Sequence, residues 1–346
     1  QAVGWTVVLL LPVLTWRQTL FWLRTFVTHR WSFEGPWYAS SALLGWVLIS
    51  YLMLNFLTVI RPFPIGWDDL GVYLNDPRLL VSYGHMIPKI SNFEWEYMTS
   101  LGFLLFGYDS YTAATLSMMI NWMAGLLAVM TVYVFASTYF GRGRGFLAAL
   151  LYYTLPLVGH FSFADMKVDN AVFTMGACSL FAVFLGIFKT ASDEDHAHSE
   201  IHAMSYLWIA LGGLLAGFAF ALKPTTIMVT MAAIAVIGGM TIVWWAFAGF
   251  AVLALAVFIE RGFINVSDIA SRVVGNPHAW SQILVTIFFV LTGISLTGIS
   301  CYLNPKHVRK AGVILGIYLG SFALSIAPWL IHNNILAGRI FIQKIS

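Results

Sequence analysis

The chain has 346 residues, 60% of them hydrophobic and only 10% charged, where a soluble domain carries about 25% charged residues. Its net charge of +3 is small, and no basic run points to nucleic acid. With a mean hydropathy of +0.82, the composition leaves a polytopic, all-α membrane protein.

Residues 1–16 are apolar but short for a membrane span. No basic region precedes them, as it would in a signal peptide. Residues 1–36 are therefore read as a partial span followed by a cytoplasmic segment carrying Arg17, Arg24 and Arg30. The start at Gln1 and the end at Ser346, shortly after a span, read as a fragment whose C-terminal part is missing. Runs of about 20 apolar residues place spans near 37–60, 110–139, 145–160, 170–189, 204–222, 225–241, 242–259, 282–303 and 311–331. That makes a helix bundle of nine spans over 37–346, or ten with the N-terminal run.

Alternation puts 61–109, 161–169, 223–224, 260–281 and 332–346 on one side of the membrane. The other side receives 17–36, 140–144, 190–203, the joint near 241, and 304–310. The raw count of basic residues does not separate the two sides. Short basic loops carry more weight, and Gly141-Arg142-Gly143-Arg144-Gly145 and Lys306-His307-Val308-Arg309-Lys310 are of that kind. Their side is read as cytoplasmic. The opposite, extracytoplasmic side of a plasma (inner) membrane then holds Asp68, Asp69, Asp165, Asp169, Lys223, His332 and Asn333.

Arg61-Pro62-Phe63-Pro64-Ile65-Gly66-Trp67-Asp68-Asp69 follows the first complete span. Pro62 and Pro64 stop the helix, and paired carboxylates at a membrane surface are costly to desolvate. A site and a plain solvated loop start fit this stretch equally well. The remainder of loop 61–109 holds apolar patches suited to short interfacial helices, and structured loops of this length are commonly functional. In Asp165-Met166-Lys167-Val168-Asp169, a helix would put the two acids on one face, with Lys167 elsewhere. The alternative is that polar residues cap the next helix, with Asp169 near its N-terminus. Gly212, Gly213 and Gly217 allow close helix packing ahead of Lys223-Pro224. Lys223 can snorkel to the interface, or pair with a phosphate at the helix N-terminus that Pro224 opens.

Cys178 and Cys301 lie in apolar spans and read as small core residues, not as a disulfide or a metal pair. His85, His160 and His332 read as interface or packing residues. Asp193-Glu194-Asp195-His196-Ala197-His198 and His202 read as a solvated cytoplasmic loop despite their look of a metal tract.

The order of these motifs adds what no single one carries. After the acidic pair come Leu105-Phe106-Gly107-Tyr108-Asp109 and Tyr139-Phe140-Gly141-Arg142-Gly143-Arg144-Gly145. Then follow Phe163-Ala164-Asp165-Met166-Lys167-Val168-Asp169-Asn170, Gly213-Leu214-Leu215-Ala216-Gly217 with Lys223-Pro224, and Pro328-Trp329-Leu330-Ile331-His332-Asn333 through Arg339. Over residues 37–340 the series resembles the GT-C superfamily of membrane glycosyltransferases, nearest the protein O-mannosyltransferase and aminoarabinose–lipid A transferase branch. The resemblance implies a transferase that takes sugar from a polyprenyl-phosphate donor on the extracytoplasmic face. It implies that the first-loop acidic pair, Asp68 and Asp69, supplies the catalytic carboxylate, with Asp169 as the second-loop acid; Asp68, at the first position of the pair, is read as the base. Lys223, Trp329 and Asn333 fall at matching substrate-binding positions, with Asp165 beside Asp169. A departing lipid phosphate needs cations, for which Lys223, Lys167, Arg61 and Arg339 are the candidates. Lys167 stands where many members carry Arg. A divalent cation held by Asp68, Asp69 and Asp169 is compatible with oxygen-ligand chemistry, without being required. The acceptor would be a lipid, a glycan or a protein. Two other readings compete: a catalytically inactive GT-C-like subunit of a membrane complex, and a transporter with intramembrane charges. Against the transporter, the acids gather on one face and no internal repeat is found.

Overall fold

The structure, a computed structural model, describes residues 2–28, 36–60, 66, 69–85, 94–162, 165–192, 199–276, 278 and 280–338. All regular structure among them is helical. The described chain divides into two compact units, one up to Thr174 and one from Met175 to Ile335.

The first unit contains α1 (Ala2–Leu14), α2 (Trp16–Thr28), α3 (Pro36–Ile60), α4 (Asn75–Tyr83), α5 (Glu94–Phe106), α6 (Tyr111–Phe140) and α7 (Arg142–Thr154). Short π-helical turns run over Asp69–Tyr73 and Leu157–Ser162, and α8 (Asp169–Ser192) begins here. α3 is apolar all round. Leu48, Leu52 and Val59 are buried, while Leu43, Trp46, Met53, Leu54 and Leu57 are exposed. In lipid both faces are equally content apolar, so packing and polar contacts decide which turns inward. α6 shows this clearly. Its buried side sets a stripe of small and polar residues, Ala113, Ser117, Asn121, Ala124, Gly125 and Ala128, beside Met118, Trp122 and Val129. Gly102 of α5 meets that stripe: a Cβ there would run into the Ala113 carbonyl and lie 2.7 Å from Ser117 Oγ. The Ser117 hydroxyl donates to the Thr99 carbonyl of α5 at 2.6 Å. α3 joins α7 through Tyr153, whose hydroxyl donates to the Tyr51 carbonyl at 3.3 Å. Asn55 Nδ2 donates to the Gly159 carbonyl at 3.0 Å.

The second unit holds the remainder of α8, then α9 (Ser199–Leu222), a 3₁₀ turn over Pro224–Thr226, and α10 (Ile227–Thr241). α11 (Trp244–Glu260), α12 (Val266–Val274), α13 (Gln282–Leu303) and α14 (Pro305–Ala337) follow. The expected glycine packing is present. Gly213 and Gly217 face α14, against Tyr318 and Phe322, and Gly212 faces Ser179 and Val183 of α8. Gly249 of α11 and Gly293 of α13 meet in the same way. The unit's core is Val183, Ile187, Ile209, Ala216, Ala233, Ile237, Ile314 and Tyr318.

Among the described residues, seven helices are long and apolar enough to cross a membrane: 42–60, 111–140, 169–188, 205–222, 224–241, 282–303 and 305–335. Two expected spans are shorter. α11 has 17 residues. The span expected over 145–160 is cut at Leu155, which adopts an extended conformation (φ −61°, ψ 126°) because the Pro156 ring disfavours a helical residue before it. The loop expected at 304–310 is helical instead. Pro305 opens α14 at a position where its missing N–H costs nothing, and Lys306 to Lys310 form the first turns. Cys178 and Cys301 are not disulfide-bonded and are only half-buried.

Candidate functional site

In the first unit Asn121 of α6 links the two expected loops. Trp95 of α5 donates its indole N–H to Asn121 Oδ1 of α6 at 3.1 Å. The Asn121 amide Nδ2 then donates to the backbone carbonyl of Asp165 at 3.2 Å. Trp95, Asn121 and Asp165 are all buried. This chain of hydrogen bonds ties loop 61–109 to the acid-bearing segment 165–169 on one face of the unit.

The segment is not helical before Asp169, so of the two readings of this stretch the shared helix face is excluded and Asp169 stands at the N-terminus of the next helix. Met166 and Val168 are buried, at 2% and 5% exposure. Burying these two alternate side chains pins the segment against the unit, whereas a helix would point them apart. Asp165 is thereby buried, Lys167 half-buried and Asp169 exposed. Asp169 is the first residue of α8, where the unsatisfied N–H groups of the first turn favour a negative charge. Next to it, Asn170 is 1% exposed. It accepts the Tyr152 hydroxyl on Oδ1 at 3.3 Å, while its Nδ2 is buried with no partner among the described residues. Buried donors are normally satisfied, so this amide has a hydrogen bond left to give.

Asp69 opens the π-helical turn Asp69–Tyr73. Arg61, Asp68 and Arg339 lie outside the described residues, as does the 193–198 tract. Loop 61–109 also holds two buried acids, Asp76 and Glu96. Burial pushes the Asp76 carboxyl up to about 6. An open cavity of about 290 Å³ lies between the π turn, α4 and the start of α6, with Leu74, Arg78, Phe103, Asp109 and Ser110 in its lining. The Arg78 guanidinium stands 6.0 Å from the centroid of the Tyr108 ring.

In the second unit the Gly213/Tyr318, Gly217/Phe322 and Phe220/Trp329 contacts advance together along both helices, so α9 and α14 run parallel. Lys223 and Asn333 therefore lie toward the same end of that pair. Lys223 is extended (φ −156°, ψ 113°) and precedes Pro224, the first residue of the 3₁₀ turn. Its carbonyl accepts from Thr226 N at 2.9 Å and Thr226 Oγ1 at 2.8 Å. Trp329 packs edge-on to Phe220, with centroids 6.5 Å apart, and Asn333 one turn later is 1% exposed. Pro328 lies inside α14 and removes the helical donor to the Leu324 carbonyl. The expected residues thus form two groups: Asp165, Lys167 and Asp169 in the first unit, and Lys223, Trp329 and Asn333 in the second.

No three His, Cys, Asp or Glu side chains cluster as a metal site among the described residues. Trp95, Asn121, Tyr152 and Asn170 were not expected as site residues. Asn121 had a signal, a lone amide in a 30-residue apolar run, of the kind that marks function or packing in lipid.

The class that fold and composition define is a multi-pass α-helical membrane protein. No protein-family model, curated protein or solved structure matches the chain.

Proposed function

We propose that the protein is a glycosyltransferase of GT-C type, moving a sugar from a polyprenyl-phosphate donor to an acceptor on the extracytoplasmic face of the plasma membrane. The observation that carries this reading is the Trp95–Asn121–Asp165 hydrogen-bond chain. It unites the two loops that bear the acids matching the GT-C motif order. Exposed Asp169, the first residue of α8, follows four residues after Asp165 in the same segment.

In this reading the acceptor hydroxyl attacks the anomeric carbon and the carbon–oxygen bond to the lipid phosphate breaks. A carboxylate takes the hydroxyl proton, and Asp68 holds that role with Asp69 and Asp169 as its partners. The departing lipid phosphate carries away the bonding electrons and needs cations or helix N-termini rather than a general acid. Lys223 at the Pro224 break, Lys167, Arg61 and Arg339 are the candidates. Asp165, Trp329 and Asn333 position the substrates.

The test uses membranes containing the protein and a polyprenyl phosphate bearing a radiolabelled sugar. Label should leave the lipid for membrane acceptors faster than in membranes without the protein. Equal rates with a panel of lipid-phosphate sugars would overturn the reading.

A further inference from the structure

The connection between α11 and α13 carries a surface unrelated to the sugar chemistry. α12 has a capped start, with Asn265 Oδ1 accepting from Ser267 N at 3.1 Å and from Ser267 Oγ at 2.7 Å. It stops at Gly275, in the left-handed region at φ 74°. At about 100° per residue, Val266, Ile269, Ala270, Val273 and Val274 fall on one arc. Ser267, Asp268, Ser271 and Arg272 fall on the other. Only Val266 and Ala270 are buried, whereas Ile269, Val273 and Val274 are 41%, 68% and 55% exposed. The helix thus uses one edge of its apolar face to hold the unit and leaves the remainder open.

What lies beside that open face follows from its two flanks. α11 ends at Glu260, which pairs with Arg261 at 3.2 Å, a charged pair that marks the end of the apolar span. α13 starts with Ile283 and Leu284 exposed at 71% and 67%, so its lipid-facing surface begins in its first turn. Gln282 Nε2 donates to the Ile259 carbonyl at 2.7 Å, which sets both ends at one level. α12 cannot leave that level. Ile264 N donates back to the Phe258 carbonyl at 3.2 Å, and the Phe263 ring packs on Phe258 at 6.2 Å. Exposed Phe263 and Trp280 flank the helix, residue types at home in the headgroup region.

We infer that α12 is an in-plane interfacial helix whose exposed face, Ile269, Val273 and Val274, enters the acyl-chain boundary of the leaflet that α11 and α13 reach. Its polar face looks to water. The partner is the lipid surface itself, and the inference stands whether or not the protein transfers sugar.

The test replaces Cys178 and Cys301 with serine and places one nitroxide at a time at Val273→Cys, Ser271→Cys or Ile283→Cys in the full chain. The protein is reconstituted in phosphatidylcholine vesicles, and collision with oxygen is compared with collision with a water-soluble nickel chelate. Residue 273 should favour oxygen, as the lipid reference 283 does, at a depth of about 5–10 Å. Residue 271 should favour nickel. Nickel preference at 273 would place the face in water and overturn the inference. Shielding of 273 from both reagents, or spin–spin broadening that disappears on dilution with unlabelled protein, would show a protein cover or a second copy and overturn it equally.

Discussion

Asn121→Ala is the perturbation that best probes how the two loops are joined. Asn121 is 2% exposed, receives the Trp95 indole N–H and donates to the Asp165 carbonyl. Truncation removes both bonds and strands a buried donor and a buried carbonyl. In water each stranded group would cost about 1–3 kcal/mol. Hydrogen bonds between membrane helices average only about 0.6 kcal/mol, because the unfolded chain in lipid finds other partners. The Asn121 bonds lie between these limits, since Asp165 belongs to a loop and not to a span. The expected loss is about 1–4 kcal/mol. Thermal unfolding in nanodiscs measures it, and hydrogen exchange at 165–168 locates it. Exchange should accelerate there and stay unchanged in α13. An unchanged unfolding midpoint together with unchanged exchange at 165–168 would refute the reasoning.

Gly217→Ala would set a Cβ 2.5 Å from the Phe322 carbonyl and 2.8 Å from Ser325 Cβ, and such overpacking should cost about 1–3 kcal/mol. Gly316→Ala, whose Cβ meets nothing within 4 Å, is the control and should not lower the unfolding midpoint. At Asp76, burial raises the carboxyl from 3.8 to about 6 against the helix dipole, which favours charge in a first turn. The folded state therefore binds this proton more tightly than the unfolded chain. The resulting stability is complete below about pH 4 and is lost as pH rises through about 6. Asp76→Asn should accordingly stabilise the protein at pH 7.5, by at most about 3 kcal/mol, and leave it unchanged at pH 4; a pH-independent effect would contradict the burial account. Topology is checked in intact cells with a membrane-impermeant thiol reagent. A cysteine at Asn75 should label and one at Gly143 should not, and equal labelling would reverse the assigned sides.

Much of the helical layout was legible because apolar runs of about 20 residues leave few alternatives to a span. The misses have local causes. A hydropathy run does not register that Pro156 forces Leu155 out of the helix, so the span expected at 145–160 extends too far. The basic stretch at 306–310 looked like a loop, yet lysine and arginine are good helix formers and Pro305 starts the helix just ahead of them. Spacing suggested a shared face for Asp165 and Asp169, but burial of Met166 and Val168 overrides the local helical preference there. The Gly213/Gly217 pair was readable as a packing surface, though not its partner, since nothing local in α9 identifies Tyr318 and Phe322. Asn121 was visible as an amide in an apolar run; its role as a bridge depends on Trp95 and Asp165, which are 26 and 44 residues away.

The central claim, that this is a lipid-phosphate sugar transferase with a first-loop carboxylate as base, meets its most direct test in one paired measurement. Turnover of a polyprenyl-phosphate sugar and binding of that donor are measured for the wild type, Asp68→Asn and Asp69→Asn in the same nanodiscs. The account predicts that Asp68→Asn loses about 100-fold or more in turnover while still binding donor, and that Asp69→Asn loses less. Near-normal turnover in Asp68→Asn, or no turnover in the wild type with any lipid-phosphate sugar, would contradict it.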